Sequence, residues 1–382
     1  MVTVADIVCL PAFHSVEVLA GDAKSLMRPV RNVGIMDTGP GDDAYSDYLP
    51  GELIVSNLGF ARGNPQAAER AMRTMVSRNL AALAIRNVHG LPIPESVLEA
   101  SRASGTPLIV YEGEYYENII FQALSLLERD RADSDRARLI DGLVQGSSPE
   151  KIRTALYDAM QATGSTIQCA MMRPLADDEA SLYAQIDKLA SVCEAIRRDW
   201  ERVEAATVLR YHGCALMLVS YQRPPAAWAL ESDSEFMQLL KASGRFVAGI
   251  SEEVPLGEGD LAVREAAAAL EQARVGERPI VRWAAMGPEA FRQAAQADRL
   301  ISSTCDLYRQ TLAKHDEAHE GDLLATAAAL ADSCGDVRAA AEALFTHPNT
   351  VRYRMKRMRE VLSLPDATDR ELVRFLMMMF LA

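Results

Sequence analysis

Along residues 1–113, apolar runs short enough for strands alternate with stretches whose apolar positions recur every three to four residues. Val16–Gly21 and Val30–Met36 read as strands. Glu52–Leu58 (strand), Pro65–Asn79 (helix), Ala82–Asn87 (strand), Pro94–Ser104 (helix) and Leu108–Glu112 (strand) follow. Apolar strands separated by amphipathic helices predict a parallel sheet in an α/β domain. Ligands of such sheets bind beyond the C-terminal ends of the strands. That rule selects Asn57, Gly59, Arg62, Asn87, His89 and Glu112 as ligand-binding candidates. Asp42, Asp43 and Asp47 lack the spacing of an EF-hand loop and read as a solvated acidic loop.

The pattern then changes. Tyr115–Gly146 is a long helical stretch with an apolar stripe at Ile119, Ala123, Leu126 and Leu127, passing into alternating charges. That suits a helix that connects domains or pairs with its twin in a dimer. From Ser148 the chain reads as strand Ile167–Met172, helix Glu179–Trp200, and strands Ala206–Tyr211 and Ala215–Tyr221 joined at His212-Gly213. Helix Asp233–Ser243, strand Phe246–Ile250, helix Ala262–Ala273 and strand Ile280–Trp283 complete a helix-flanked mixed sheet. The expected divisions are 1–113, a connecting helix 114–147, a middle domain 148–290, a helical linker 291–321 and an all-α domain 322–382.

Three helices fit Asp322–Leu362. Leu323, Ala327, Leu330 and Ala331 recur at helical spacing, with Gly335 as the stop. Asp336 can cap a short helix bearing Val337, Ala340, Ala341 and Leu344, whose alanines allow the close approach of a helix-turn-helix. A third helix starts at Pro348, with Thr346 or His347 as its cap. Val351, Met355, Met358 and Leu362 share one face. Asn349, Tyr353 and Lys356 lie opposite, flanked by Thr350, Arg352 and Arg357.

Charge sharpens this picture. The chain carries 40 basic and 53 acidic side chains, a net of −13. Between Phe345 and Leu362, however, Arg352, Arg354, Lys356, Arg357 and Arg359 stand against Glu360 alone. A cationic helix on an acidic protein is a local footprint for phosphate. Asn349, Arg352 and Tyr353 are the candidates for base edges, and Thr346, Lys356 and Arg357 for phosphates, with His347 and Thr350 beside them. At 382 residues the chain is expected to form two or three domains. No apolar run reaches the ~20 residues of a membrane helix. The tail Leu372–Ala382 carries a stripe of Leu372, Phe375, Leu376 and Met379, expected as core or dimer surface. With no signal peptide and six cysteines lacking paired spacing, a cytoplasmic protein with reduced thiols is expected.

No catalytic centre emerges. His315 and His319 stand at i, i+4 spacing but with Asp316 between them where HExxH enzymes carry glutamate, and the segment reads as solvated linker. Neither a G-x-S-x-G turn nor a phosphate-binding G-x-x-x-x-G-K-[ST] loop is present. The expectation is a non-enzyme without cofactor or metal.

The run ALFTHPNTVRYRMKRMREVLSL resembles the C-terminal helix-turn-helix of the PucR/CdaR family of bacterial transcription regulators. The family's Leu-x-x-His-x-Asn-Thr-Val-x-Tyr-Arg-Leu pattern is matched by Leu344, His347, Asn349, Thr350, Val351, Tyr353 and Arg354. Met355 replaces the leucine, and Pro348 stands where relatives carry a basic residue. TVADIVCLPAF, PGELIVSN and IPESVLEASRASGTPLIV resemble the family's N-terminal domain. Gly249–Arg274 resembles the GGDEF-like middle domain of the CdaR branch. An active cyclase of that type needs acidic residues at the hairpin turn, where this chain has Tyr211-His212-Gly213-Cys214. It also has Arg173-Pro174 where a carboxylate would end the first strand. The resemblance implies a ligand-responsive regulator of a catabolic pathway. Its partners would be an operator duplex, a small-molecule effector and a second copy of the chain. The alternative is a nucleotide-binding sensor or enzyme built on the middle domain.

Overall fold

The computed structural model describes residues 1–39, 47–174, 182–223, 240, 246–276 and 278–381. The acidic residues Asp42 and Asp43, and nearly all of the expected helix Asp233–Ser243, lie outside the described residues. The chain divides into two compact units, Met1–Ile280 and Val281–Ala382.

The first unit opens with α1 (Val4–Val8), β1 (Phe13–Ala20), α2 (Ala23–Leu26), β2 (Asn32–Ile35), β3 (Glu52–Ser56), α3 (Pro65–Val76), β4 (Ala82–Ile85), α4 (Glu95–Ser104) and β5 (Leu108–Gly113). Its sheet has the order β1-β5-β4-β3-β2. β2 to β5 are parallel, as the alternation with helices predicts. β1 corrects the all-parallel expectation, pairing antiparallel with β5 at the edge. β3 and β4 are buried along their whole length because both faces are covered. On one face Ile54, Leu83, Ile85 and Leu108 pack with Ala68, Met72 and Met75 of α3 and Val97 of α4. On the other, Leu53, Val55, Ala84 and Ile109 meet Ile119, Ala123 and Leu127 of a 29-residue helix, α5 (Tyr116–Val144).

α5 also covers a second sheet. α6 (Pro149–Met160), β6 (Thr166–Pro174), α7 (Leu182–Asp199), β7 (Val203–Tyr211), β8 (Cys214–Tyr221), β9 (Phe246–Ile250), β10 (Val254–Pro255), α8 (Gly259–Val275) and β11 (Ile280–Arg282) follow. The strand order is β11-β9-β6-β8-β7, with β10 on β6. β6 separates β9 from β8, and the pairings β7–β8, β8–β6 and β6–β9 are antiparallel. β6, α7 and β7 thus form a split β-α-β unit with β8 inserted. A Cβ at Gly249 would lie 2.1 Å from the backbone of Leu270, so only glycine lets α8 rest directly on β9. Ile140 and Leu143 of α5 enter this second core with Ile152 and Leu156 of α6.

Where α5 passes the β7–β8 hairpin, its carboxylates turn inward. Asp130 accepts hydrogen bonds from the Tyr183 hydroxyl and from Arg210 (Nη1, 3.1 Å). Asp133 accepts from the Arg210 backbone N–H at 3.1 Å. Asp141 accepts from the Tyr211 hydroxyl at 2.9 Å and meets His212 Nε2 at 2.7 Å. His212 and Gly213 both have positive φ, 46° and 76°, the backbone a two-residue hairpin requires. The expected turn is therefore present, and a carboxylate from α5, not from the turn itself, fastens it.

The second unit is helical: α9 (Pro288–Ala297), α10 (Arg299–His319), α11 (Leu323–Asp332), α12 (Val337–Ala343), α13 (Pro348–Val361) and α14 (Asp369–Met379). Its core gathers Leu323, Ala327, Leu330, Ala340, Ala341, Val351, Met355, Met358, Leu372, Leu376 and Met379. The tail stripe is therefore largely core. Leu312 of α10 is fully buried in the same cluster, so the stretch expected as linker belongs to this unit's core. No described helix is long and apolar enough to cross a membrane.

Candidate nucleic-acid interface

α11, α12 and α13 form the helix-turn-helix. Gly335 ends the first of them in the left-handed region (φ 85°), its N–H donating to Leu330 O at 2.8 Å. A Cβ there would also meet Val373 of α14 at 2.8 Å. Asp336 then caps α12, accepting from the N–H groups of Arg338 and Ala339. Of the two cap candidates for α13, His347 takes the position: its Nδ1 accepts from Asn349 N–H at 3.1 Å, and Pro348 occupies the first turn.

The two faces of α13 separate as the periodicity predicts. Val351, Met355 and Met358 are buried. His347, Asn349, Arg352, Tyr353 and Lys356 are exposed, and Thr346, Thr350 and Arg357 half-buried. Arg352 donates to Asn349 Oδ1 at 2.9 Å, so two of the three base-edge candidates form a hydrogen-bonded pair on the surface. Tyr353, 70% exposed, stands beside them.

The basic run is less uniform than its charge count implies. Arg354 reaches back to Thr326 Oγ1 (3.1 Å) and Asp322 Oδ2 (2.5 Å), pinning α13 to the start of α11. Arg359 holds Ala367 O at 2.7 Å and pairs with Asp369 at the start of α14. Arg357 pairs with Glu360 at 2.6 Å and donates to His315 Nε2 at 3.3 Å. Three of the five cations are thus committed within the unit. Arg352 and Lys356 carry the uncommitted charge.

Phe345, which the sequence reading left out of the interface, lies in the turn between α12 and α13 with φ 52° and 99% exposure. A large aromatic held in a left-handed turn with no burial gains nothing for folding. Its apolar ring stands one residue before the interface begins. The signal was available in sequence as an aromatic directly before the capped start of a polar-faced helix.

The ligand candidates of the first sheet divide between two roles. Asn57 Oδ1 accepts from Gly59 N–H at 2.8 Å, and His89 lies against Gly59, so these three are brought together. Asn87 is turned onto its own loop, donating to Leu91 O (2.8 Å) and accepting from Leu91 N–H (2.9 Å). Arg62 is exposed, and Glu112 is exposed on β5. Missed by the sequence reading is Arg86, just past β4. Half-buried, it stacks on Tyr115 at 4.9 Å and has no carboxylate partner among the described residues. The Tyr111 hydroxyl is buried without a hydrogen-bond partner. Burial pushes its phenol up to about 12, with the Arg86 charge pulling the other way. No cluster of three potential metal ligands occurs among the described residues.

Comparison with known proteins bears on both ends of the chain. Residues 323–379 match the PucR C-terminal helix-turn-helix domain. Residues 6–127 match the purine catabolism regulatory protein-like family. The second match runs into α5 as far as Leu127, the part of that helix that covers the first sheet. Among solved structures, the regulator of polyketide synthase expression from Bifidobacterium adolescentis is similar at 16% identity, covering 63% of this chain and 96% of that one, with a TM-score of 0.30. A likeness that slight carries no argument. No curated protein matches the chain.

Proposed function

We propose that this chain, which carries PucR-family modules in its N-terminal and C-terminal parts, is a ligand-responsive, sequence-specific DNA-binding regulator of transcription. The observation that supports the DNA-binding reading most directly is the outer face of α13. It presents Asn349, Arg352, Tyr353 and Lys356 to solvent while Val351, Met355 and Met358 anchor the opposite side in the core. Asparagine and arginine are the side chains that make bidentate contacts with adenine and guanine. A helix-turn-helix places such residues in the major groove. Binding of a random-sequence duplex by the intact chain, followed as salt is raised, tests this reading. Log K should fall linearly with log salt. An affinity indifferent to salt contradicts it.

The sensing half of the proposal rests on the first sheet. Arg86, the end of β4 and the uncapped start of α5 come together near a buried, unpartnered Tyr111 hydroxyl. A half-buried guanidinium without a counter-charge favours an anionic ligand. Calorimetry of the intact chain with metabolites that alter its DNA affinity, repeated with Arg86→Met, checks this. Ligand binding undiminished in the variant would place the site elsewhere.

The enzyme alternative has no supporting geometry among the described residues. The hairpin turn carries no carboxylate of its own, and Asp141, which approaches it, is held by Tyr211 and His212. Incubation with GTP and Mg²⁺ is expected to give no cyclic product.

A further inference from the structure

Beside the recognition face of α13 lies a cleft of about 380 Å³, lined by His315 and His319 of α10, Gly321–Leu323, and Tyr353, Arg354, Lys356, Arg357 and Glu360 of α13. Most of its charges are already matched. Asp316 accepts from the N–H groups of Leu323 and Leu324, both at 2.8 Å, and so caps α11 from outside. Asp322 is paired with Arg354, and Glu360 with Arg357. Lys356 and His319 remain.

The hydrogen bonds assign the two imidazoles. His315 Nε2 accepts from the Arg357 guanidinium at 3.3 Å, so the neutral ring carries its hydrogen on Nδ1. That Nδ1 is buried without a hydrogen-bond partner, 3.9 Å from Asp316 Oδ1. His319 Nδ1 lies 3.0 Å from the His315 carbonyl, which can only accept, so Nδ1 carries the hydrogen. His319 Nε2 is then a bare lone pair on an exposed ring. The rings stack at 4.3 Å, and the Arg357 guanidinium faces His315 and not His319 Nε2.

We propose that this cleft seats one backbone phosphate of the bound duplex, held by Lys356 and by His319 in its protonated form. The inference rests on the DNA-binding reading and extends it to α10, outside the helix-turn-helix proper. A neutral His319 offers the phosphate only a lone pair. Seating the anion therefore takes up one proton at Nε2, and the contact becomes a charge-assisted hydrogen bond. DNA affinity should consequently rise as pH falls. The other charged or titratable groups lining the cleft are His315 on α10, Asp322 at the start of α11, and Tyr353, Arg354, Lys356, Arg357 and Glu360 on α13, with Asp316 beside His315. Apart from Lys356, Tyr353 and the Nδ1 of His315, they are committed to partners already named. His347 also lies on the interface, where its Nδ1 accepts from Asn349 N–H and caps α13.

The test is fluorescence anisotropy of the intact chain with a random-sequence duplex, at constant ionic strength, between about pH 6 and about pH 8. Wild type should bind severalfold tighter at the acid end. His319→Gln should abolish that gain, and His347→Asn, which retains a cap, should keep it. Lys356→Ala should lower the slope of log K against log salt by about one. A pH gain that survives His319→Gln overturns the proposal. If inorganic phosphate raises the thermal midpoint through His319 while duplex affinity ignores that residue, the cleft is a small-anion site and the assignment to DNA is overturned. Failure of wild type to bind duplex at any pH would refute the underlying DNA-binding reading itself.

Discussion

At the scale of single residues, the structure separates side chains that hold the second unit together from those left for a partner. Arg354 and Arg359 belong to the first group, Arg352 and Lys356 to the second. Arg352→Ala should cost about 1–3 kcal/mol of operator affinity and relax the preference at one base, while Lys356→Ala should weaken all sequences alike. Competition binding with operator and scrambled duplexes distinguishes them, and equal behaviour of the two variants would be a contradiction. Phe345→Ala should leave the thermal midpoint in place, because the ring buries nothing, yet weaken operator binding through lost apolar contact, such as with a thymine methyl. A lowered midpoint would mean that the ring packs. These divisions were only partly legible in sequence. Helical spacing put Arg352 and Lys356 near one face, but Arg354 and Arg359 owe their partners to Asp322, Thr326 and Asp369, which only helix packing brings near.

At the scale of elements, α5 serves both sheets of the first unit. Its apolar stripe could have faced a twin helix. Instead Ile119, Ala123 and Leu127 cover the first sheet, and Ile140 and Leu143 enter the second core. Its carboxylates differ accordingly. Burial works against charge at Asp130, yet the hydrogen bond from Tyr183, with Arg210 adding attraction, holds its carboxyl below the usual range. At Asp133 burial wins and the carboxyl is raised. The signs are opposite. Asp130 contributes stability above its unfolded value, lost as pH falls through the lower folded one, whereas ionised Asp133 costs stability that is recovered on acidification. Asp130→Asn should therefore lower the unfolding midpoint at neutral pH, through a loss of about 1–3 kcal/mol of stability. Asp133→Asn should leave the midpoint unchanged or raise it. Thermal unfolding of both variants checks this, and equal losses would contradict it. Apolar runs and turn residues made β3, β4, β9 and the His212-Gly213 hairpin legible in advance. The antiparallel direction of β1 was not, since alternation reports faces and says nothing of strand direction.

At the scale of the molecule, one helix-turn-helix makes too few base contacts for useful genomic specificity. Two-fold pairing is the commonest remedy. We expect at least a dimer in solution, with half-site centres about 10 bp apart or a multiple of it, which light scattering and footprinting would establish. A monomer protecting one half-site at full affinity would contradict that expectation. We propose that the outer face of α13 reads sequence. Its most direct test is selection of duplexes from a random library by the intact chain, with Arg352→Ala carried in parallel. Wild type should enrich a defined motif, degraded at one base position per half-site in the variant. Enrichment of the same motif by both proteins, or of none by wild type at low salt, would contradict it.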